Sequence, residues 1–109
     1  ILILGITFKE NCPDTRNSKV LDLFKQLKTF RSNVDIYDPI VNVIEFKNEY
    51  GIDILNIPPK NYYNIVVITV GHQFFTNLGQ KKIRKWCKPG GIIMDLKNTI
   101  SKDEVDFTL

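Results

Sequence analysis

The chain reads as an α/β domain, a three-layer sandwich in which helices cover both faces of a mainly parallel sheet. Three observations predict this. Ile1 to Thr7, Asn64 to Val70 and Ile92 to Asp95 are nearly continuous apolar runs, as strands buried on both faces require. The segments between them place apolar residues at helical spacing. Strand and helix signals alternate along the chain, and the crossovers of such a sheet are expected to be right-handed. With 109 residues, 43% hydrophobic and 25% charged, the chain has material for one domain with a single packed core.

Each element has its own signal. The first strand, Ile1 to Thr7, runs into a polar loop punctuated by Pro13. Asn17 or Ser18 caps the next helix. In that helix Val20, Phe24 and Leu27 recur at helical spacing, and Leu23 and Phe30 widen the apolar face. Asn33 turns into a strand from Val34 to Tyr37, closed by Asp38-Pro39. A weaker helix follows from Val43 to Tyr50 and stops at Gly51, a residue suited to a left-handed C-terminal turn. Ile52 to Leu55 reads as a short strand or an extended loop, and Pro58-Pro59 breaks regular structure. Asn64 to Val70 is rich in β-branched residues and forms the second strong strand, ended by Gly71-His72. A helix is expected around Leu78 to Cys87, with Ile83, Trp86 and Cys87 as its apolar contacts. Pro89-Gly90-Gly91 reads as a turn before the strand Ile92 to Asp95. From Ser101 the tail is expected to begin a short capped helix and then fray.

Composition narrows the function. The net charge of +3 is modest, and Lys81, Lys82, Arg84, Lys85 and Lys88 read as a solvated helix face. Nucleic-acid binding calls for a more basic domain and a reading motif, and neither is visible. The two cysteines, Cys12 and Cys87, lack the C-x-x-C spacing of a zinc or redox site, and reduced thiols in a cytosolic protein are the favoured reading. No signal peptide or bilayer-length apolar run is present, so a cytoplasmic protein without a membrane partner is expected. The chain starts at Ile1, inside a strand, and its one methionine is Met94, so it is expected to be a piece of a longer polypeptide.

The loop after the first strand holds the strongest functional signal. Gly5-Ile6-Thr7-Phe8-Lys9-Glu10-Asn11-Cys12-Pro13-Asp14-Thr15-Arg16-Asn17-Ser18 carries two cations and leads straight into a helix. In a parallel sheet, ligands sit beyond the carboxyl ends of the strands. Lys9 and Arg16 beside a helix N-terminus, whose N–H groups favour negative charge, suit a phosphate ester. The G-x-G-x-x-G dinucleotide fingerprint is absent here, so the anion is bound by another design.

These residues also resemble the opening of the C-terminal, nucleotide-sugar-binding domain of the UDP-glucose/GDP-mannose dehydrogenase family. Glu-Asn-Cys-Pro-Asp is most similar to the branch that oxidises UDP-N-acetyl-hexosamines for capsule, O-antigen or Vi-type polysaccharides. Val34-Asp35-Ile36-Tyr37-Asp38-Pro39 resembles the second strand of that domain. Gly91-Ile92-Ile93-Met94-Asp95-Leu96-Lys97-Asn98 resembles its penultimate strand and turn. The resemblance implies a Rossmann-like fold for residues 1–109, as the C-terminal UDP-binding domain of a longer enzyme. It implies an NAD-dependent oxidation of a C6 alcohol to a carboxylate, through two hydride transfers with a cysteine thiohemiacetal and thioester between them.

Residue by residue, the resemblance assigns Phe8 and Lys9 to the nucleotide sugar. It assigns Arg16, in Asp-Thr-Arg, to the neighbourhood of the dinucleotide, and Lys97 to substrate across a subunit boundary. Read from the residues alone, Arg16 also suits an ion pair with Asp14 or a place in the first helical turn, and Lys97 an ordinary turn. The nucleophile motif and the dinucleotide fingerprint are missing, so this piece alone is expected to have no catalytic residue and no dehydrogenase activity. NAD is expected to be held mainly by an absent N-terminal domain. The expected partners are that domain, a central domain and further copies of the enzyme, besides the UDP-sugar.

The remaining candidates have structural readings. Asp14, Thr15 and Ser18 shape the loop and cap the helix. His72, the one histidine, lacks a Ser/Asp pattern and reads as structural or solvent-facing. No metal site is expected. Cys12 reads as packing, and Tyr62, Tyr63, Phe74 and Phe75 as packing or interface residues. The alternative class is a non-enzymatic, flavodoxin-like interaction or regulatory domain. A receiver of that kind needs an acidic pair beside the first strand, which is absent although Asp38 and Asp95 end strands.

Overall fold

The computed structural model describes residues 1–30 and 33–108; Leu109, at the end of the expected tail, lies outside them. Its strands are β1 (Leu2–Leu4), β2 (Asp35–Tyr37), β3 (Tyr63–Ile68), β4 (Cys87–Asp95) and β5 (Phe107–Thr108). Its helices are α1 (Lys19–Thr29), α2 (Val43–Tyr50) and α3 (Gln73–Arg84). The strands form one sheet in the order β2-β1-β3-β4-β5, and every pair is parallel.

Side chains alternate across the sheet, as strand geometry demands. Leu2, Leu4, Val66, Ile68 and Ile93 face one side and pack with Phe75, Ile83 and Trp86 of the α3 segment. Ile3, Ile36 and Val67 face the other and pack with Phe24 of α1 and Phe46 of α2. These two clusters make the three layers. The first helix differs from expectation: Phe30 is the C-cap and is 74% exposed, so it leaves the apolar face, and Leu21 packs against the cluster where Leu23 was expected. In α2 the Asn42 side chain accepts the Glu45 N–H, and Gly51 closes the helix at φ +70°. Leu55 of the ambiguous Ile52–Leu55 segment makes a single parallel bridge to Tyr37.

Three expectations fail near the C-terminal half. First, α3 starts at Gln73 instead of near Leu78. Gly79, at φ 79° and ψ 165°, kinks it into two pieces, which hides the first turn from a periodicity search. Second, Cys87 is not a helical contact, and Pro89-Gly90-Gly91 does not precede the strand; both lie within β4. Tyr63 pairs with Cys87 and Ile65 with Ile92, so residues 88–91 bulge out opposite Asn64 alone. Third, the tail does not fray where it is described. Phe107 and Thr108 add β5 to the edge of β4, after a 3₁₀ turn at Lys102–Glu104. Asp106 anchors it: its Oδ2 accepts the Ile93 N–H at 2.7 Å and Arg84 Nη1 at 3.0 Å. A two-residue strand has no periodicity to read.

At the other end of the sheet, the Tyr63 hydroxyl donates to Asp35 Oδ2 at 2.6 Å. Burial and then this bond push its phenol pKa up, so the donor stays protonated.

Where β1 ends, Gly5 takes φ +103°, and an added Cβ would lie 2.6 Å from Val70 Cβ. Gly5→Ala is therefore expected to lower stability by about 2–4 kcal/mol, measured by denaturant unfolding, since backbone strain and overpacking act together. A second expectation concerns acid. The Ile93 N–H, and then Arg84, hold the Asp106 carboxyl below the usual aspartate range. Its contribution is complete above the unfolded value of about 4 and is lost as pH falls through the lower folded value. Amide exchange at Ile93 should accelerate over that acid window in the wild type, and Asp106→Asn should abolish the pH dependence.

Candidate functional site

The strand order places β1 and β3 side by side, with the chain leaving β1 towards β2 and leaving β3 towards β4. Such a reversal opens a crevice at the carboxyl ends of the two strands. A hollow of about 280 Å³ lies there, lined by residues 7–10 after β1, 17–20 at the start of α1, 69–71 after β3, and Lys97 after β4.

Its walls are built locally. Thr69 Oγ1 donates to the carbonyls of Leu4 and Gly5, at 2.9 and 2.7 Å, which clamps the ends of β1 and β3 together. The Phe8 N–H donates to the Asp14 carbonyl at 2.7 Å and folds the loop back on itself. Asn11 and Asn17 adopt φ near +60°, a conformation that asparagine tolerates better than most residues. Ser18 occupies the N-cap position of α1 but makes no side-chain cap; its hydroxyl turns to the Thr7 carbonyl at 3.5 Å. The first N–H groups of α1 are thus uncapped by Ser18, beside the hollow.

Lys97 is set by a buried carboxylate. Asp95 is fully buried, and its two oxygens accept the N–H groups of Lys97 at 3.2 Å and Ile100 at 2.8 Å. Asn98 adds a left-handed residue at φ 53°, so the turn brings Lys97 back over the strand ends. Phe8, 58% exposed, and Lys9 line the same hollow.

Three of the four expected site residues, Phe8, Lys9 and Lys97, therefore meet in one hollow. Arg16 does not line it. Its guanidinium grips Asp14 through two bonds, Nε to Oδ1 at 3.0 Å and Nη2 to Oδ2 at 3.1 Å, with its side chain 79% exposed. The hydrogen bonds from Arg16 hold the Asp14 carboxyl below its usual range, and Asp14 in turn raises the guanidinium. The pairing of Lys9 with Arg16 at one anion is thus corrected: the cations that share the hollow with Lys9 are Lys97 and Lys19.

Lys19 and Thr69 were not picked out in the sequence, and Asn17 only as a helix cap. Lys19 did carry a signal. A lysine in the first turn of a helix opposes the helix dipole, so its place there points to a negative partner. Thr69 had none, because a threonine at a strand end is common.

His72 is neither solvent-facing nor idle. It is fully buried, within hydrogen-bond reach of Asp38 and Thr7 on Nε2 and of the Asn11 N–H on Nδ1. Cys12 and Cys87 are free thiols, and burial pushes the Cys87 thiol up, away from reactivity. A wider hollow of about 710 Å³ lies beside the starts of β4 and β5. Its Arg84 and Asp106 are already paired with each other. Among the described residues, no helix is long and apolar enough to cross a membrane.

Comparison with known proteins gives the family. Residues 2–102 match the UDP-glucose/GDP-mannose dehydrogenase family, UDP binding domain. The whole chain is 38% identical to a UDP-N-acetyl-D-glucosamine 6-dehydrogenase of Pseudomonas aeruginosa and 39% identical to one of Salmonella typhi. It spans about a quarter, 26%, of the length of each. The fold superposes on the UDP-N-acetyl-mannosamine dehydrogenase Cap5O from S. aureus with a TM-score of 0.75 at 22% identity, over 98% of this chain and 24% of that one. A parallel sheet with a cationic hollow at its switch point, and a family match over nearly all its length, lead to one assignment: the chain belongs to the UDP-glucose/GDP-mannose dehydrogenase family, as its UDP binding domain.

Proposed function

We propose that this chain holds the UDP end of a UDP-N-acetyl-hexosamine while other parts of the same NAD-dependent 6-dehydrogenase oxidise C6 of the sugar, in the making of a surface polysaccharide. The observation that carries this reading is the convergence of Lys9, Lys19 and Lys97 on the hollow beside the N-terminus of α1. A diphosphate bears charge that ammonium groups and uncapped N–H groups both stabilise. Phe8 offers an exposed ring to the uridine or the sugar. Binding energy collected at this non-reacting end orients the distant C6 atom.

The residues present do not build a dinucleotide site. The loop after β1 lacks G-x-G-x-x-G, and Arg16 stands in solvent paired to Asp14. NAD, which takes up hydride in such oxidations, is assigned to an N-terminal domain of the enzyme, with Arg16 as an edge contact from this side. The identity of the relatives with UDP-N-acetyl-D-glucosamine 6-dehydrogenases supports that sugar class, and a cytoplasmic, oligomeric enzyme is the setting in which we place it. A flavodoxin-like regulatory domain shares the strand order, but the family match favours the nucleotide-sugar role.

Titration of UDP by calorimetry tests the site. Lys9→Ala and Lys97→Ala should each weaken binding about tenfold, and raised salt should weaken the wild type. Arg16→Ala should change UDP affinity by less than about twofold, since its charge is spent on Asp14 in exposed solvent. Equal affinities for wild type and Lys9→Ala would remove Lys9 from the site. Incubated with UDP-N-acetyl-glucosamine and NAD, the chain alone should form no NADH; turnover would refute the division of labour.

A further inference from the structure

We propose that His72 is a positioning residue for the Lys9 loop, and that the lone pair on its Nδ1 does the positioning; the consequence for ligand affinity rests on the UDP reading above. The hydrogen-bond directions around the ring are determined. A backbone N–H only donates, so the 2.9 Å contact from the Asn11 nitrogen makes Nδ1 an acceptor. The ring proton then sits on Nε2 and is donated to Asp38 Oδ2 at 2.9 Å. The Thr7 hydroxyl donates to the Lys9 carbonyl at 2.9 Å, which leaves its oxygen to face Nε2 at 3.2 Å.

Asp38 is itself immobile, because its carboxylate accepts the N–H groups of Ile6 at 2.8 Å and Ile40 at 3.0 Å. The tie to α3 is reciprocal. Asn11 Oδ1 accepts the Gln73 N–H at 2.8 Å, at the N-terminus of the helix that His72 begins. Residues 7 and 11, on either side of Lys9, are thus both referred to one fully buried imidazole. Among the described residues, no other group accepts the Asn11 N–H. Without that acceptor, the left-handed turn at Asn11 loses its anchor, and Lys9 is no longer presented to the hollow in one conformation.

Two substitutions separate this role from simple support of the buried carboxylate. In His72→Asn the side-chain oxygen can take the place of Nδ1, whereas His72→Gln reaches only the position of Nε2. Amide hydrogen exchange at Asn11 without ligand, and UDP affinity, are read for both. His72→Asn should keep the Asn11 amide protected and UDP affinity within about threefold of wild type. His72→Gln should lose the protection and at least about fivefold in affinity. The reverse order, or equal values for both variants, overturns the inference. If neither variant folds, the imidazole ¹⁵N spectrum of the wild-type chain decides: a proton on Nε2 alone together with a protected Asn11 amide supports it, and a proton on Nδ1 overturns it. Failure of wild type to bind UDP would sink the UDP reading alone, with the positioning role still judged by exchange at Asn11.

Discussion

The carboxyl ends of β1 and β3 are locked together, and the rest of the site follows from that contact. Gly5 leaves room for Val70 by having no Cβ, and Thr69 bonds the last carbonyls of β1. The two strands then end at the same height while their chains depart in opposite directions. The crevice is a consequence of connectivity in a parallel sheet. Any larger residue at Gly5 would wedge apart the strands whose ends form its floor.

The crevice is lined by three cations on separate elements and by one acid, Glu10. Lys9 comes from the β1 loop, Lys19 from the start of α1 and Lys97 from the turn after β4. Among the described residues, none forms an ion pair of the kind that occupies Arg16, whose charge is matched by Asp14 within the same loop. Lys9, which lines the hollow, thus differs from Arg16, seven residues later in one loop, whose charge is neutralised by a neighbour. The two fully buried strand-end acids are used for placement. Asp38 organises the turn after β2 and meets His72, and Asp95 sets the turn that carries Lys97. Acids that a receiver domain would use for chemistry here satisfy backbone N–H groups instead.

Sequence patterns were legible where a local rule acts along the chain. The apolar runs of β1, β3 and β4 announced strands covered on both faces, and Asn42 and Gly51 bounded α2 by capping chemistry. They failed where the deciding partner is distant in sequence. The kink at Gly79 broke the period of α3, the four-residue bulge at 88–91 looked like a turn, and β5 is too short to carry a pattern. The motif resemblance singled out Phe8, Lys9 and Lys97, which line one hollow; Lys19 and Thr69 line it too, and no motif marks them.

What the sequence determined by itself is the alternation of strands and helices, the two-sided burial of the central strands, and the family to which the loop Gly5–Ser18 belongs. These depend on composition and short-range spacing. The tertiary structure decided which cations share a hollow and which is quenched, and of the two readings open for His72 it chose the structural one, as the hub between Asp38, Thr7 and Asn11. Those contacts join residues 34 to 65 positions apart, and no pattern along the chain encodes a distance closed only when β1, β2 and α3 pack around the same point.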